Sequence, residues 1–143
     1  MMDAVTTIGF VGFGEVASRF APALQAGGAT VVAYDVLLET AAGMETLAAR
    51  ARGEMPSMLP LAQAIAVADI VLSTVTTDVA LAAAKSCAEH LGPGKTYIDL
   101  NATSPARKRD IARIVAASGA AFVEGAILPA VNVMGAPMPA CML

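Results

Sequence analysis

A chain of 143 residues with a net charge of −3 suits one domain with a full core. Its longest basic cluster, Arg107-Lys108-Arg109, is too small to suggest nucleic acid, and no run of about 18 strongly apolar residues offers a membrane span. Met1-Met2-Asp3 opens without the basic and apolar blocks of a secretion signal, and two thiols, Cys87 and Cys141, fit a reducing cytoplasm.

The first predicted element is an apolar strand, Val5 to Val11, that stops at Gly12. Gly12-Phe13-Gly14-Glu15-Val16-Ala17 then spells G-x-G-x-x-A and bends the strand into a helix. Gly12 permits the tight turn, Gly14 has no Cβ to hold off an approaching pyrophosphate, and Ala17 lets the helix lie close on the strand. Such a helix opens with unpaired N–H groups and the positive end of its dipole. It is predicted over about Gly14 to Ala26, with Val16, Phe20 and Leu24 as its buried stripe, Pro22 kinking or tightening it, and Gly27-Gly28 closing it. A second strand, Thr30 to Tyr34, ends in Asp35, 21 residues beyond Gly14 (35 − 14), where an acidic side chain can hold adenosine ribose hydroxyls.

A second helix is predicted over Leu38 to Arg50, then a short edge strand near Glu54-Met55, beside Pro56. A brief helix from Leu59 to Ala66 hands over to a strand from Asp69 to Thr74. Thr77-Asp78 cap a helix reaching about His90, which Gly92-Pro93 terminate. A strand from Thr96 to Leu100 follows. Ser104 and Pro105 then read as N-cap and first residue of a helix ending at Gly119, and Ala120 to Glu124 is the sixth strand. Ile127 to Pro139 reads as a loop, and Met138 to Leu143 as the opening of one more strand, as in a domain truncated at its C-terminal end. The alternation predicts an α/β, Rossmann-type fold: a doubly wound, mainly parallel sheet with helices on both faces, residues 1–143 forming one dinucleotide-binding domain.

In such a sheet, ligands bind outside the carboxyl ends of the strands. That rule selects Gly12 to Glu15, Asp35, then Ser73, Thr74, Thr76 and Thr77, then Asn101, Thr103 and Ser104, and finally the loop from Glu124 to Asn132. Thr77 and Ser104 are the expected helix caps whatever the function, whereas Ser73, Thr76, Asn101 and Thr103 are candidates to line a nicotinamide or a substrate. No acid or base suits the reacting oxygen: His90 and Lys95 fall at the opposite sheet edge, Lys85 and Lys108 lie within helices, and Glu124 reads as a solvated strand end. One histidine and two distant cysteines build no metal site. Asp35 is followed by Val36-Leu37-Leu38 with no neighbouring Arg or Lys, which favours NAD over NADP. A methyltransferase would carry an acidic residue just before the first glycine, where Phe10-Val11 stand, and an FAD protein would show Glu in place of Asp35.

The segments IGFVGFGEVASRFAPAL, VVAYD, VLSTVT, YIDLNATSP and AAFVEGAI together resemble the N-terminal domain of the β-hydroxyacid dehydrogenase superfamily, which includes 6-phosphogluconate and 3-hydroxyisobutyrate dehydrogenases. The likeness is greatest to the phosphogluconate dehydrogenase-like branch with the D-L-N-x-x-S-P element, here Asp99 to Pro105. It implies that Gly12, Phe13, Gly14, Glu15 and Val16 face the pyrophosphate and Asp35 the ribose. Val75 and Thr76 would pass beside the cofactor and Asn101 would sit near the nicotinamide. Asn101, Thr103, Gly125 and Ala126 would form the substrate side. Where better-known members have a serine and paired glycines, this chain has Gly125-Ala126-Ile127-Leu128-Pro129-Ala130, so the resemblance does not by itself assign their particular substrates. The resemblance also implies a catalytic lysine on a helix beyond Leu143, with a C-terminal helical domain, absent here, that builds a homodimer. The expected function is hydride transfer between NAD, or NADP, and a small hydroxy acid or related carbonyl. The alternative is a non-catalytic dinucleotide-binding or redox-sensing module, motivated by the missing acid or base.

Overall fold

Strands of a parallel sheet covered on both faces read as continuous apolar runs, and Ile8-Gly9-Phe10-Val11 and Val31-Val32-Ala33 do so here, each buried throughout. The computed structural model describes residues 4–127 and 141–142. Six strands share one sheet: β1 (Thr7–Val11), β2 (Thr30–Tyr34), β3 (Ser57–Met58), β4 (Ile70–Ser73), β5 (Thr96–Asp99) and β6 (Ala121–Glu124). Every pairing is parallel, in the order β3-β2-β1-β4-β5-β6. The order reverses between β1 and β4, which opens a crevice at their carboxyl ends.

Among the described residues, five α-helices cover the faces: α1 (Glu15–Ala26), α2 (Gly43–Arg50), α3 (Leu61–Val67), α4 (Ala80–Ala88) and α5 (Pro105–Ala117). Successive strand residues point to opposite faces, so Phe10 and Ile98 join one core with Phe13, Phe20 and Leu47. Their neighbours Val11 and Tyr97 join the other, with Ile65, Ile111 and Val115. Among the described residues, no helix is long and apolar enough to cross a membrane.

Several local expectations shift. The deepest face of α1 is Ala17, Ser18, Phe20 and Ala21, whereas Val16 and Leu24 are only partly buried, because small residues let the helix settle on the sheet one position round. The helix runs through Pro22 as one element. The predicted second helix divides into a 3₁₀ turn, Val36–Glu39, and α2, with Thr40 extended between them. Asp35 starts that turn by accepting from the Leu37 N–H, a local bond that competes with α-helix. The edge strand lies at Ser57–Met58 and not at Glu54-Met55; it begins directly after Pro56, which has no N–H to give a ladder. Thr77 does not cap α4: its hydroxyl donates to the Ala102 carbonyl (2.9 Å), and a 3₁₀ turn, Thr77–Val79, precedes the helix. Helix α4 ends at Ala88, which leaves His90 in the turn beyond it. Ser104 caps α5 as predicted, accepting from the Arg107 N–H.

Ala126 and Ile127, expected in a loop, form a two-residue strand β7 that pairs antiparallel with β8 (Cys141–Met142), part of the strand predicted at the C-terminal end. The remainder of that predicted loop, 128–139, and the other residues of the predicted last strand lie outside the described residues.

Candidate dinucleotide site

The turn after β1 is built before any ligand is considered. Gly12 has φ +91, where side-chain-bearing residues rarely go, and a Cβ there would lie 2.6 Å from the Thr74 carbonyl oxygen. Its N–H donates to the Tyr34 carbonyl (2.8 Å), and its own carbonyl accepts from Thr74 Oγ1 (2.7 Å). The turn is thereby clamped between the ends of β2 and β4. Gly14 differs in kind: it is the N-cap of α1, no side chain caps the helix, and a Cβ added to it would meet nothing within 4 Å. The space above it is open, and the first N–H groups of α1 face it.

Asp35 is 9% exposed and points into this turn. Its Oδ2 accepts from the Phe13 N–H (2.8 Å) and its Oδ1 from the Leu37 N–H (2.9 Å), which fixes the carboxylate at the mouth. The Phe13 side chain is buried in the core, so only its backbone serves the turn. Glu15 borders the same turn, its side chain ion-paired to Arg19 (3.0 Å) and Arg52 (3.2 Å), and the hydrogen bond from Arg19 holds its carboxyl below the usual range.

Two adjoining cavities open at the crevice. One, of about 500 Å³, is bordered by Gly14, Val16, Asp35, Arg50, Val75 and Thr76. The other, of about 300 Å³, is lined mainly by apolar groups, among them Val36, Leu61, Val75, Val79 and Ala83. Gly12 and Asp35 border both. Tyr34 reaches the apolar one, and burial together with its bond to Glu39 (3.0 Å) pushes its phenol up to about 12. An open mouth over a helix N-terminus, beside an apolar slot with a carboxylate between them, matches the chemistry of an adenine dinucleotide. Neither cavity is lined by a histidine or a lysine.

Asn101 lines neither cavity. It is 5% exposed; its Oδ1 accepts from the Val75 N–H (2.9 Å) and its Nδ2 donates to Ser73 Oγ (3.0 Å), so it ties the exits of β4 and β5 together. Thr103 Oγ1 is buried with no hydrogen-bond partner. Gly125 donates its N–H to the Asp99 carbonyl (2.9 Å), and Ala126 lies in β7.

Two residues escape a reading of the sequence. Lys108, passed over there as a helix residue, is 6% exposed at its side chain and donates to Asp99 Oδ1 (2.7 Å), the Asp99 carbonyl (3.0 Å) and the Gly125 carbonyl (3.4 Å). Its partner Asp99 is fully buried and also accepts from the Asn101 N–H (2.9 Å). The pair locks the ends of β5 and β6 beneath the site. The available signal is spacing: Lys108, Ile111 and Val115 share one buried helix face. The second residue is Arg50, whose Nη1 donates to the Phe13 carbonyl (3.1 Å) and lies 3.8 Å from Asp35 Oδ2. The absence of a cation near Asp35, read from the neighbouring sequence, does not hold in space. Among the described residues no group of three His, Cys, Asp or Glu side chains could hold a metal ion.

Strand order, open glycine turn and strand-end aspartate define a Rossmann domain of the dinucleotide-binding class. Residues 7–128 match the sequence model of the NAD binding domain of 6-phosphogluconate dehydrogenase. The chain belongs to that family, within the β-hydroxyacid dehydrogenase superfamily. A conserved hypothetical protein from Sinorhizobium meliloti 1021 is 38% identical, with a TM-score of 0.83 over 92% of this chain and 44% of its own. A conserved protein of unknown function, described as similar in structure to 3-hydroxyacid dehydrogenases, is 32% identical, with a TM-score of 0.73 over 88% of this chain and 45% of its own. 3-Hydroxyisobutyrate dehydrogenase from Mycobacterium tuberculosis shares the fold at 21% identity, with a TM-score of 0.74 over 90% of this chain and 43% of its own. The chain thus spans less than half the length of each of these structures. No curated protein matches it significantly by sequence.

Proposed function

We propose that this chain is the cofactor-holding part of an NAD(P)-dependent dehydrogenase or reductase that acts on a small hydroxy acid or a related carbonyl. The observation that carries the reading is the pairing of an uncapped, unobstructed α1 N-terminus at Gly14 with the Asp35 carboxylate on the same cavity wall. In this reading the N–H groups of Gly14, Glu15 and Val16 hold the pyrophosphate, Asp35 accepts from the ribose, and the apolar slot takes the adenine. Val75 and Thr76 border the path toward the substrate end, and Thr103, Gly125 and Ala126 face the substrate. Asn101 acts from behind, by holding Val75 in place. A bound nicotinamide supplies or accepts the hydride; the protein's part is to orient it and keep water away.

The proton-transfer group comes from the part of the whole protein that these 143 residues do not include, as does the surface that makes a homodimer. The family affinity and the cavity chemistry support the cofactor role. The small-molecule substrate class rests on the hydroxyacid dehydrogenase relationship. Titration of the chain with NADH, followed by nicotinamide fluorescence, tests the reading: saturable binding that is lost in Gly14→Val supports it, and no binding by either NADH or NADPH ends it. Turnover by the whole protein, with retention of binding but no turnover in this chain, separates the enzyme from a non-catalytic sensor.

A further inference from the structure

An aspartate at the end of β2 ordinarily excludes a 2′-phosphate by charge, and the flanking sequence Val36-Leu37-Leu38 offers no compensation. The tertiary structure alters this. Both Asp35 oxygens already accept main-chain N–H groups, from Phe13 and Leu37, so part of the carboxylate's charge is answered within the protein. Arg50 then comes in from the last residue of α2, 37 positions from the Phe13 carbonyl to which it donates. Its Nη1 is 3.8 Å from Asp35 Oδ2, beyond hydrogen-bond range but within strong Coulomb range. Its side chain remains 40% exposed and borders the phosphate-side cavity with Gly14 and Asp35. The other nearby cations are differently placed. Arg19 and Arg52 both pair with Glu15, which itself borders that cavity, whereas neither arginine does.

We infer that Arg50 reads the adenosine 2′-position and that, because of it, the site takes NADPH as well as NADH despite Asp35. The inference rests on the dinucleotide-binding reading above and deepens it. A guanidinium presents a planar fork of donors suited to phosphate oxygens, and a partly exposed arginine holding one main-chain carbonyl can turn toward a phosphate. With a ribose hydroxyl in place of the phosphate, Asp35 accepts the hydrogen bond and Arg50 stays where it is. One pair of side chains therefore serves both cofactors.

The test uses the full chain, titrated separately with NADH and NADPH by nicotinamide fluorescence; the sequence contains no tryptophan to interfere. Wild-type dissociation constants are expected within about tenfold of one another. Arg50→Gln should raise that for NADPH by about tenfold, or ~1.4 kcal/mol, and that for NADH by less than about threefold. Arg50→Lys, which keeps the charge, should retain most NADPH binding. Arg113→Gln, which removes a positive charge from an exposed stretch of α5, should leave the ratio unchanged. A wild-type preference for NADH beyond about a hundredfold overturns the inference and needs no variant. So does an equal loss of both cofactors in Arg50→Gln, which would assign Arg50 to the shared pyrophosphate, or an equal shift of the ratio in Arg113→Gln. Wild type that binds neither dinucleotide removes the underlying reading as well, whereas good NADH binding with a ratio indifferent to Arg50 removes only this one.

Discussion

Gly12 and Gly14 stand two residues apart in one motif, yet alanine at each should do different damage. At Gly12 a Cβ must adopt φ +91 and would sit 2.6 Å from the Thr74 carbonyl oxygen and 2.9 Å from Val75 Cγ1. The left-handed backbone costs about 1–2 kcal/mol and the overpacking about 1–3 kcal/mol, so Gly12→Ala should lose ~2–5 kcal/mol of a total near 5–15 kcal/mol. In a domain of this size that lowers Tm by roughly 7–17 °C. At Gly14 the same Cβ meets nothing, and φ −100 is open to any residue. Stability should therefore change by no more than ~1 kcal/mol, the range for Gly against Ala at an N-cap. Binding should respond instead, because the methyl group occupies the space a phosphate needs. Loss of one charge-assisted N–H bond, ~1.5–3 kcal/mol, predicts NADH affinity about ten- to a hundredfold weaker. Thermal melts and NADH titration of the two variants side by side provide the assay. If Gly14→Ala bound NADH like wild type, the phosphate would not approach there; if Gly12→Ala melted like wild type, the steric account of the turn would be wrong.

Asp35→Ala should weaken NADH more than NADPH, and equal effects in a titration would reject its ribose role. It should also lower Tm, since the Phe13 and Leu37 N–H groups lose their acceptor. Lys108→Met leaves Asp99 buried without its counter-ion, for a loss of ~3–5 kcal/mol in urea unfolding, part of it recovered when Asp99→Asn is added; a loss under ~1 kcal/mol would show that the pair is not structural. Burial pushes the Cys87 thiol from its ordinary value near 9 up to about 12, so the folded chain keeps that proton after the unfolded chain has released it. Stability contributed by this group is complete below pH 9 and declines as pH rises from 9 toward 12. Cys87→Ala should flatten that decline in melts recorded across the range, and Cys87 should resist thiol reagents in the native chain at pH 8.

The order of elements was legible because each is written locally. Gly12 can only turn, the apolar runs of β1 and β2 can only be buried, and Ser104-Pro105 opens a helix whatever surrounds it. Boundaries were less legible where a side chain bonds its own backbone, as where Asp35 converts the start of a predicted helix into a 3₁₀ turn, and β3 begins only after Pro56, three residues on from its predicted place. The substrate side was least legible. Asn101, Ser73 and Asp99 are polar residues at the right sheet edge, but their partners turn out to be each other and Lys108.

By itself, the sequence determined that a strand must turn on glycine into a helix and that an aspartate must close the next strand, since backbone freedom and strand period act over a few residues. Only the tertiary structure decided what those groups meet. Arg50 reaches Phe13 and Asp35 across 37 and 15 positions (50 − 13 and 50 − 35), and Lys108 reaches Asp99 and Gly125 from a different element. Charge is felt through space and not along the chain, so which ions face the crevice depends on how helices pack against the sheet.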